Sequence, residues 1–111
     1  MSQETFHGIW RISEVQGMDL DELDNRGEAL IRFLSENHGD FVFAFLEGDI
    51  DYRLGKRSGH DVLEFSWQGT NDGNEACGRG WVTLKQENLV GKFFIHQGRD
   101  YSLVAQLKEK K

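Results

Sequence analysis

Four polar side chains form the best candidate for a binding site in this sequence. They are Ser66, Arg79, His96 and Ser102. We predict that they lie in one row across neighbouring strands, on the outer face of a sheet. A fixed guanidinium beside an imidazole and two hydroxyl groups offers the donors that a carboxylate or a phosphate needs. The row therefore predicts an anion site, although alternation along strands also produces polar rows that only stabilise a sheet.

The segment from Asp61 to Leu107 has to position this row. Its apolar and polar residues alternate with a period of two, which predicts four antiparallel strands in three hairpins. In the first hairpin we expect Gly69 opposite Ala76, which places Trp67 opposite Gly78. Large residues then face small ones, as a close-packed interior requires.

The same argument predicts the register of the two later hairpins. The expected pairs are Gln86 with Leu89, Val82 with Phe93, Gly80 with Ile95, Gln97 with Tyr101, Ile95 with Leu103 and Phe93 with Ala105. A slip of one residue would turn each apolar face to water, so the hydrophobic pattern constrains this pairing.

Upstream, the chain predicts further strands and little helix. Phe6 to Ile12 alternates as a first strand, and one helical turn capped by Asp19 is expected within an acidic loop. Phe41 to Leu54 is either one strand bent at Gly48 or two strands broken there, and we favour the bent strand. The whole pattern predicts a single domain over residues 1–111, an all-β, antiparallel up-and-down barrel of seven or eight strands. A two-sheet β-sandwich is the alternative.

Aromatic side chains outside the expected core predict a contact surface. Phe41, Phe43 and Phe45 follow one strand, and Trp81 and Phe94 lie on the outer face of the later strands. Apolar patches of this kind usually mark interfaces, so we expect self-association as a homodimer. Inside the barrel, Tyr52 and Tyr101 are the candidate polar anchors for a small-molecule ligand.

Composition excludes several classes of protein. The net charge of −6 and the lack of a basic patch argue against a partner that is nucleic acid or membrane. The four histidines are scattered and Cys77 is alone, so no metal site and no cofactor are expected. A single cysteine, and first residues (Met1 to Thr5) that lack the pattern of a signal peptide, predict a cytoplasmic protein.

Three blocks of the sequence resemble a family of small uncharacterised bacterial proteins. They are Glu64-Phe65-Ser66-Trp67-Gln68-Gly69, Gly78-Arg79-Gly80-Trp81 and Gly91-x-x-Phe94-x-His96-x-Gly98. Members tend to carry Gly-Asp-Asp-Ser after that histidine, whereas this chain has a turn one residue longer that has lost an acid. Separately, Gly8-Ile9-Trp10 resembles the Gly-x-Trp that opens many lipocalin-type barrels. The resemblance implies a bacterial origin and a compact β fold, and it implies no activity.

The sequence therefore favours a non-enzymatic binding or interaction module. A carrier of small apolar ligands with a lipocalin-like cavity is the first alternative. An enzyme with an anion site at Arg79 and His96 is the second.

Overall fold

Eight antiparallel strands close into a barrel in the computed structural model, which describes residues 3–110. Each strand pairs with the next in the chain, and β1 pairs with β8 to close the sheet. The strands are β1 Gly8–Val15, β2 Leu30–Phe33, β3 His38–Phe43, β4 Leu46–Arg57, β5 His60–Asn71, β6 Asn74–Lys85, β7 Asn88–Ile95 and β8 Asp100–Lys110. The predicted all-β barrel is confirmed. The expectation about a signal peptide falls partly on Met1 and Ser2, which lie outside the described residues.

Aromatic rings fill the interior of the barrel. Phe93 lies at the centre of the cluster, stacked on Trp67 with 4.9 Å between ring centroids. Phe41 and Phe43 meet the same ring edge-on, at 5.0 and 5.1 Å. Edge-to-face and stacked pairs at these distances stabilise a core beyond the area they bury. Gly80 lies opposite both Phe65 and Phe93 in the sheet, so its lack of a side chain leaves room for the two rings.

Short helical segments cover the two ends of the barrel. At one end a 3₁₀ turn, Gln3–Phe6, buries Phe6, whose carbonyl accepts a hydrogen bond from Trp10 Nε1 at 2.9 Å. At the other end α1, Leu20–Leu23, buries Leu23. The carboxylate of Asp19 accepts from the backbone N–H of Glu22 at 2.8 Å, so the predicted cap is present. No helix within residues 3–110 is long and apolar enough to cross a membrane.

The predicted register is right in the first hairpin and wrong in the next two. Gly69 pairs with Ala76 and Trp67 with Gly78, as expected. Between β6 and β7, however, Lys85 pairs with Asn88, which moves the register by two residues. The reason is a two-residue turn in which Gln86 and Glu87 both have positive φ. Turns of this kind usually contain glycine, asparagine or aspartate, so glutamine and glutamate gave no signal for it.

The last hairpin departs further from the expectation. Phe93 pairs with Tyr101 rather than Ala105, and Leu103 faces Gly91 rather than Ile95. A backbone hydrogen bond of 3.0 Å from Ile95 N to the carbonyl of Arg99 closes the turn early. Gly91 then provides the small residue that faces a large one, so size complementarity holds in this register too.

The expected bent strand at Gly48 is also wrong. The chain breaks between Phe43 and Leu46, and Ala44 takes a positive φ of 53°. This turn changes the parity of the alternation, so the odd-numbered residues of β3 face the core. Gly48 stays in the middle of β4, where a Cβ atom would meet the carbonyl oxygen of Gln68 at 2.5 Å.

Candidate functional site

An open groove of about 1090 Å³ runs over the outer face of β4 to β7. Three of the four predicted site residues line it, namely Ser66, Arg79 and His96. The fourth, Ser102, pairs with Lys92 and is not among the lining residues. The long strands β4, β5 and β6 form most of the groove floor, so most of its side chains stand on regular sheet, whereas His96 lies in the turn that follows β7.

The structure brings together only half of the predicted row. Ser66 and Arg79 are direct cross-strand neighbours. The next residue across the sheet is Phe94, because of the register shift between β6 and β7. His96 lies beside Cys77, to whose carbonyl its backbone N–H donates at 2.8 Å. Arg79 and His96 are thus diagonal neighbours, which places their backbones about 7–8 Å apart.

Arg79 differs from most arginines of the protein. Four others form ion pairs: Arg11 with Asp24, Arg26 with Glu47, Arg32 with Asp40 and Arg53 with Asp51. Within the described part of the chain, Arg79 has neither an ion pair nor a side-chain hydrogen bond, and its side chain is exposed. A guanidinium in this position keeps all its donors available for a carboxylate.

One wall of the groove is built from the hairpin between β4 and β5. Arg57 lies over the ring of Trp81, with 4.8 Å between the guanidinium carbon and the ring centroid. Such a cation–π contact covers one face of the indole. Arg53 donates to Asp51 Oδ1 and to the carbonyl of Tyr52, both at 2.8 Å. The cations of this wall therefore already have partners.

The glycines on either side of Arg79 have a packing role. A Cβ atom at Gly80 would overlap the ring of Phe65. A Cβ atom at Gly78 would overlap the carbonyl oxygen of Phe94, which accepts a hydrogen bond of 3.0 Å from Trp67 Nε1. The indole thus reaches the backbone of β7 from inside the barrel because Gly78 has no side chain. This contact fixes the position of Phe94 on the groove floor.

The two candidate tyrosines do not form a polar site in the interior. Tyr52 is fully buried and its hydroxyl donates to the carbonyl of Leu34. Burial raises the pKa of this phenol above its ordinary value. Tyr101 is half-buried and pairs with Phe93, on a different part of the barrel wall. Tyr52 holds the chain at Leu34, and its ring packs edge-on against Phe33 with 5.4 Å between ring centroids.

The proposed aromatic interface is only partly on the surface. Phe41 and Phe43 are 4% and 1% exposed and belong to the core, so their placement on an outer face was wrong. The unrecognised turn at Ala44 is the physical cause. Phe45 is 43% exposed beside that turn. Trp81 and Phe94 are half-buried, and both line the groove.

Sequence reasoning missed the place of Cys77 in this site. Its thiol is free and exposed, and the residue lines the groove two positions before Arg79. The alternation of β6 puts both residues on one face, so the signal is present in the sequence, but the lone cysteine entered the prediction only as an argument against a metal site and for a cytoplasmic protein. Among residues 3–110, no group of three histidine, cysteine or acidic side chains is arranged to hold a metal ion.

The groove has a balanced charge on a strongly acidic protein. Three arginines and three acidic residues line it, namely Arg53, Arg57, Arg79, Asp49, Asp51 and Glu64. Comparison with family models, with curated proteins and with solved structures finds no match to this chain. The geometry of the groove is therefore what indicates a function for this protein.

Proposed function

We propose that this protein is a non-enzymatic binding module that recognises its partner through the groove on the outer face of β4 to β7. The observation that carries the proposal is the contrast between the two faces of the sheet. The inner face is covered by packed aromatic rings around Phe93. The outer face offers an open groove with Arg79 on its floor, a cation that has no ion pair within residues 3–110.

A carrier of apolar ligands has less support from this geometry. Such proteins enclose most of the ligand surface in a cavity with a few convergent polar groups. Here the interior positions are filled, and the hydroxyl of Tyr52 is bonded to the backbone. The groove is open along its length, which suits a partner that lies across the sheet.

An enzyme at Arg79 and His96 also has less support. General acid–base catalysis requires groups within hydrogen-bond reach of a common substrate atom. The two residues belong to different cross-strand rows, and Phe94 is the direct neighbour of Arg79. Recognition of a partner needs a surface that complements the partner and no catalytic geometry, and an open groove with apolar and charged residues suits that role.

Cys77 gives a direct test of the proposal. It is the one cysteine of the sequence and it lies in the groove, so a maleimide carrying a polyethylene glycol chain would block the groove at a single defined position. Random peptides displayed on phage would be selected on the unmodified protein. We expect the enriched peptides to bind this protein and to lose binding when Cys77 carries the adduct.

The control moves the adduct out of the groove. A Cys77→Ser variant with a new cysteine at Glu14, which is exposed on β1, carries the same polymer elsewhere. Peptides should bind this conjugate as they bind the unmodified protein. Equal loss of binding with both conjugates, or a selection that enriches no peptide, contradicts the groove as the recognition surface.

A second copy of this chain is the other candidate partner. Leu20 and Phe45 are 58% and 43% exposed, and both lie at the end of the barrel that α1 covers. Exposed apolar side chains at one end favour contact with another protein surface, most simply by a two-fold axis.

Light scattering on the purified protein tests this second candidate. We expect a dimer that Phe45→Ser converts to a monomer, because the substitution removes apolar surface from this contact. Leu54→Ser is the matched control, since Leu54 is 40% exposed near the opposite end and should leave the dimer intact. A monomeric unmodified protein would exclude this arrangement.

A further inference from the structure

We propose that the groove binds an aromatic carboxylate, with the carboxylate on Arg79 and the arene on Phe94. This inference rests on the proposed function and names the chemistry that the groove selects. The ligand class is an arene separated from its carboxylate by one or two methylene groups. The same chemistry occurs in free aryl-alkanoates and at the C-terminus of a chain that ends in an aromatic residue.

The anionic half of the ligand follows from the state of Arg79. The protein carries a net charge of −6, and four of its arginines have a carboxylate partner within the chain. Arg79 stands in the middle of β6 without an ion pair among the described residues, and its direct neighbour on β5 is Ser66. A planar fork of donors beside a hydroxyl matches the two oxygens of a carboxylate.

The aromatic half follows from the position of Phe94. It is the direct neighbour of Arg79 on β7, so about 4.8 Å separates their strands. The ring of Phe94 is only half-buried although it is a large apolar side chain. Its backbone is held from the inner side by Trp67, so the pair is placed by regular sheet on both strands. One strand spacing separates the backbones that carry the cation and the ring, so a ligand with a short link between its carboxylate and its arene suits the pair.

The other side chains in the groove do not place a cation without an ion pair beside an accessible aromatic ring. The indole of Trp81 is covered by Arg57, and Arg53 is paired with Asp51. His96 lies beside Cys77 and has no aromatic neighbour directly across β6. Asp100 is the next residue in the row beyond Phe94, and it borders the site with a negative charge. That charge disfavours a second anionic group on the arene.

An NMR titration of the ¹⁵N-labelled protein with 3-phenylpropionate tests the proposal. We expect saturable shifts for the backbone amides of residues 78–81 and 93–96. The neutral 3-phenylpropanamide and the arene-free butyrate should each bind at least tenfold more weakly. In Arg79→Gln the affinity for 3-phenylpropionate should fall at least tenfold.

Arg99→Gln is the matched control for charge. Arg99 lies in the turn between β7 and β8, has no ion pair within residues 3–110 and does not line the groove. Its removal changes the net charge equally and should leave the affinity within twofold of the unmodified protein. A peptide ending in phenylalanine with a free carboxylate, compared with its amidated form, distinguishes a chain terminus from a free small molecule as the source.

Three results would overturn the inference. They are equal weakening by Arg79→Gln and Arg99→Gln, equal binding of the amide and the carboxylate, and shifts confined to interior residues such as Phe43. If displayed peptides bind the unmodified protein and lose binding when Cys77 carries the adduct, while 3-phenylpropionate does not bind, the ligand class is wrong and the groove remains the recognition surface. If both experiments fail, the groove itself is not a binding site.

Discussion

At the scale of single residues, some side chains hold the barrel together, and the proposed function leaves others for a partner. Tyr52 belongs to the first kind, because its buried hydroxyl donates to the carbonyl of Leu34. Arg79 belongs to the second kind. The sequence predicted that Arg79 and Ser66 share a row, since both follow from the alternation of one hairpin. It could not predict that Phe94 is the next residue of the row, because that depends on the turn between β6 and β7.

Tyr52→Phe should lower the free energy of unfolding by about 1–2 kcal/mol at neutral pH, because the carbonyl of Leu34 loses its donor. Burial raises the pKa of Tyr52 above its ordinary value of 10.0. The folded state therefore keeps the proton longer than the unfolded state. The stability contributed by this phenol is complete below pH 10 and is lost as the pH rises through the raised pKa.

Urea unfolding between pH 7 and pH 11 measures both effects. In Tyr52→Phe, the loss of stability on the alkaline side should be smaller than in the unmodified protein. Tyr101→Phe is the control, since Tyr101 is half-buried, and it should change the free energy of unfolding by about 0.5 kcal/mol or less. A Tyr52→Phe protein as stable as the unmodified one at pH 7 would show that the bond to Leu34 does not contribute.

At the scale of strands and turns, the sequence predicted which segments are strands better than how they pair. Strict alternation of apolar and polar residues marks a half-buried strand clearly, as in the five residues from Leu63 to Trp67. Register was harder because Gly78, Gly80 and Gly91 each accept a large neighbour, so several pairings satisfy size complementarity. The turn at Gln86 and Glu87 lacks the Asn-Gly or Asp-Gly signal of a two-residue hairpin loop, and it decided the outcome.

Gly78→Ala should destabilise the fold by about 1–3 kcal/mol, because the added methyl group enters the space of the hydrogen bond between Trp67 Nε1 and the carbonyl of Phe94. Gly55→Ala is the control, on β4. Its new Cβ atom would meet the side chain of Glu64 at 3.1 Å, and that exposed side chain can move. Gly55→Ala should change the free energy of unfolding by less than about 1 kcal/mol.

Chemical denaturation of the two variants gives the comparison directly. Equal stability of Gly78→Ala and Gly55→Ala would show that the sheet between β5 and β7 relaxes around the methyl group. The explanation of Gly78 by close approach of the indole to β7 would then fail.

At the scale of the whole molecule, the inner face of the closed sheet forms the core, and the proposed function assigns contact with a partner to the outer face. Closure pairs β1 with β8, and Phe41, Phe65 and Phe93 turn inward from β3, β5 and β7. The barrel was predictable because many alternating strands with short turns need closure to remove their edges. The burial of Phe41 and Phe43 was not predictable, because the turn at Ala44 changes which face of their strand points to the core.

The most direct test of the central claim is the rate at which iodoacetamide alkylates Cys77, with and without a saturating peptide from the display selection. Cys77 is exposed in the groove of the free protein, so it should react readily. If peptides bind in the groove, bound peptide should slow the alkylation of Cys77 in proportion to the fraction of protein that is occupied. An unchanged rate while the peptide is bound would place the recognition surface elsewhere on the barrel and contradict the account.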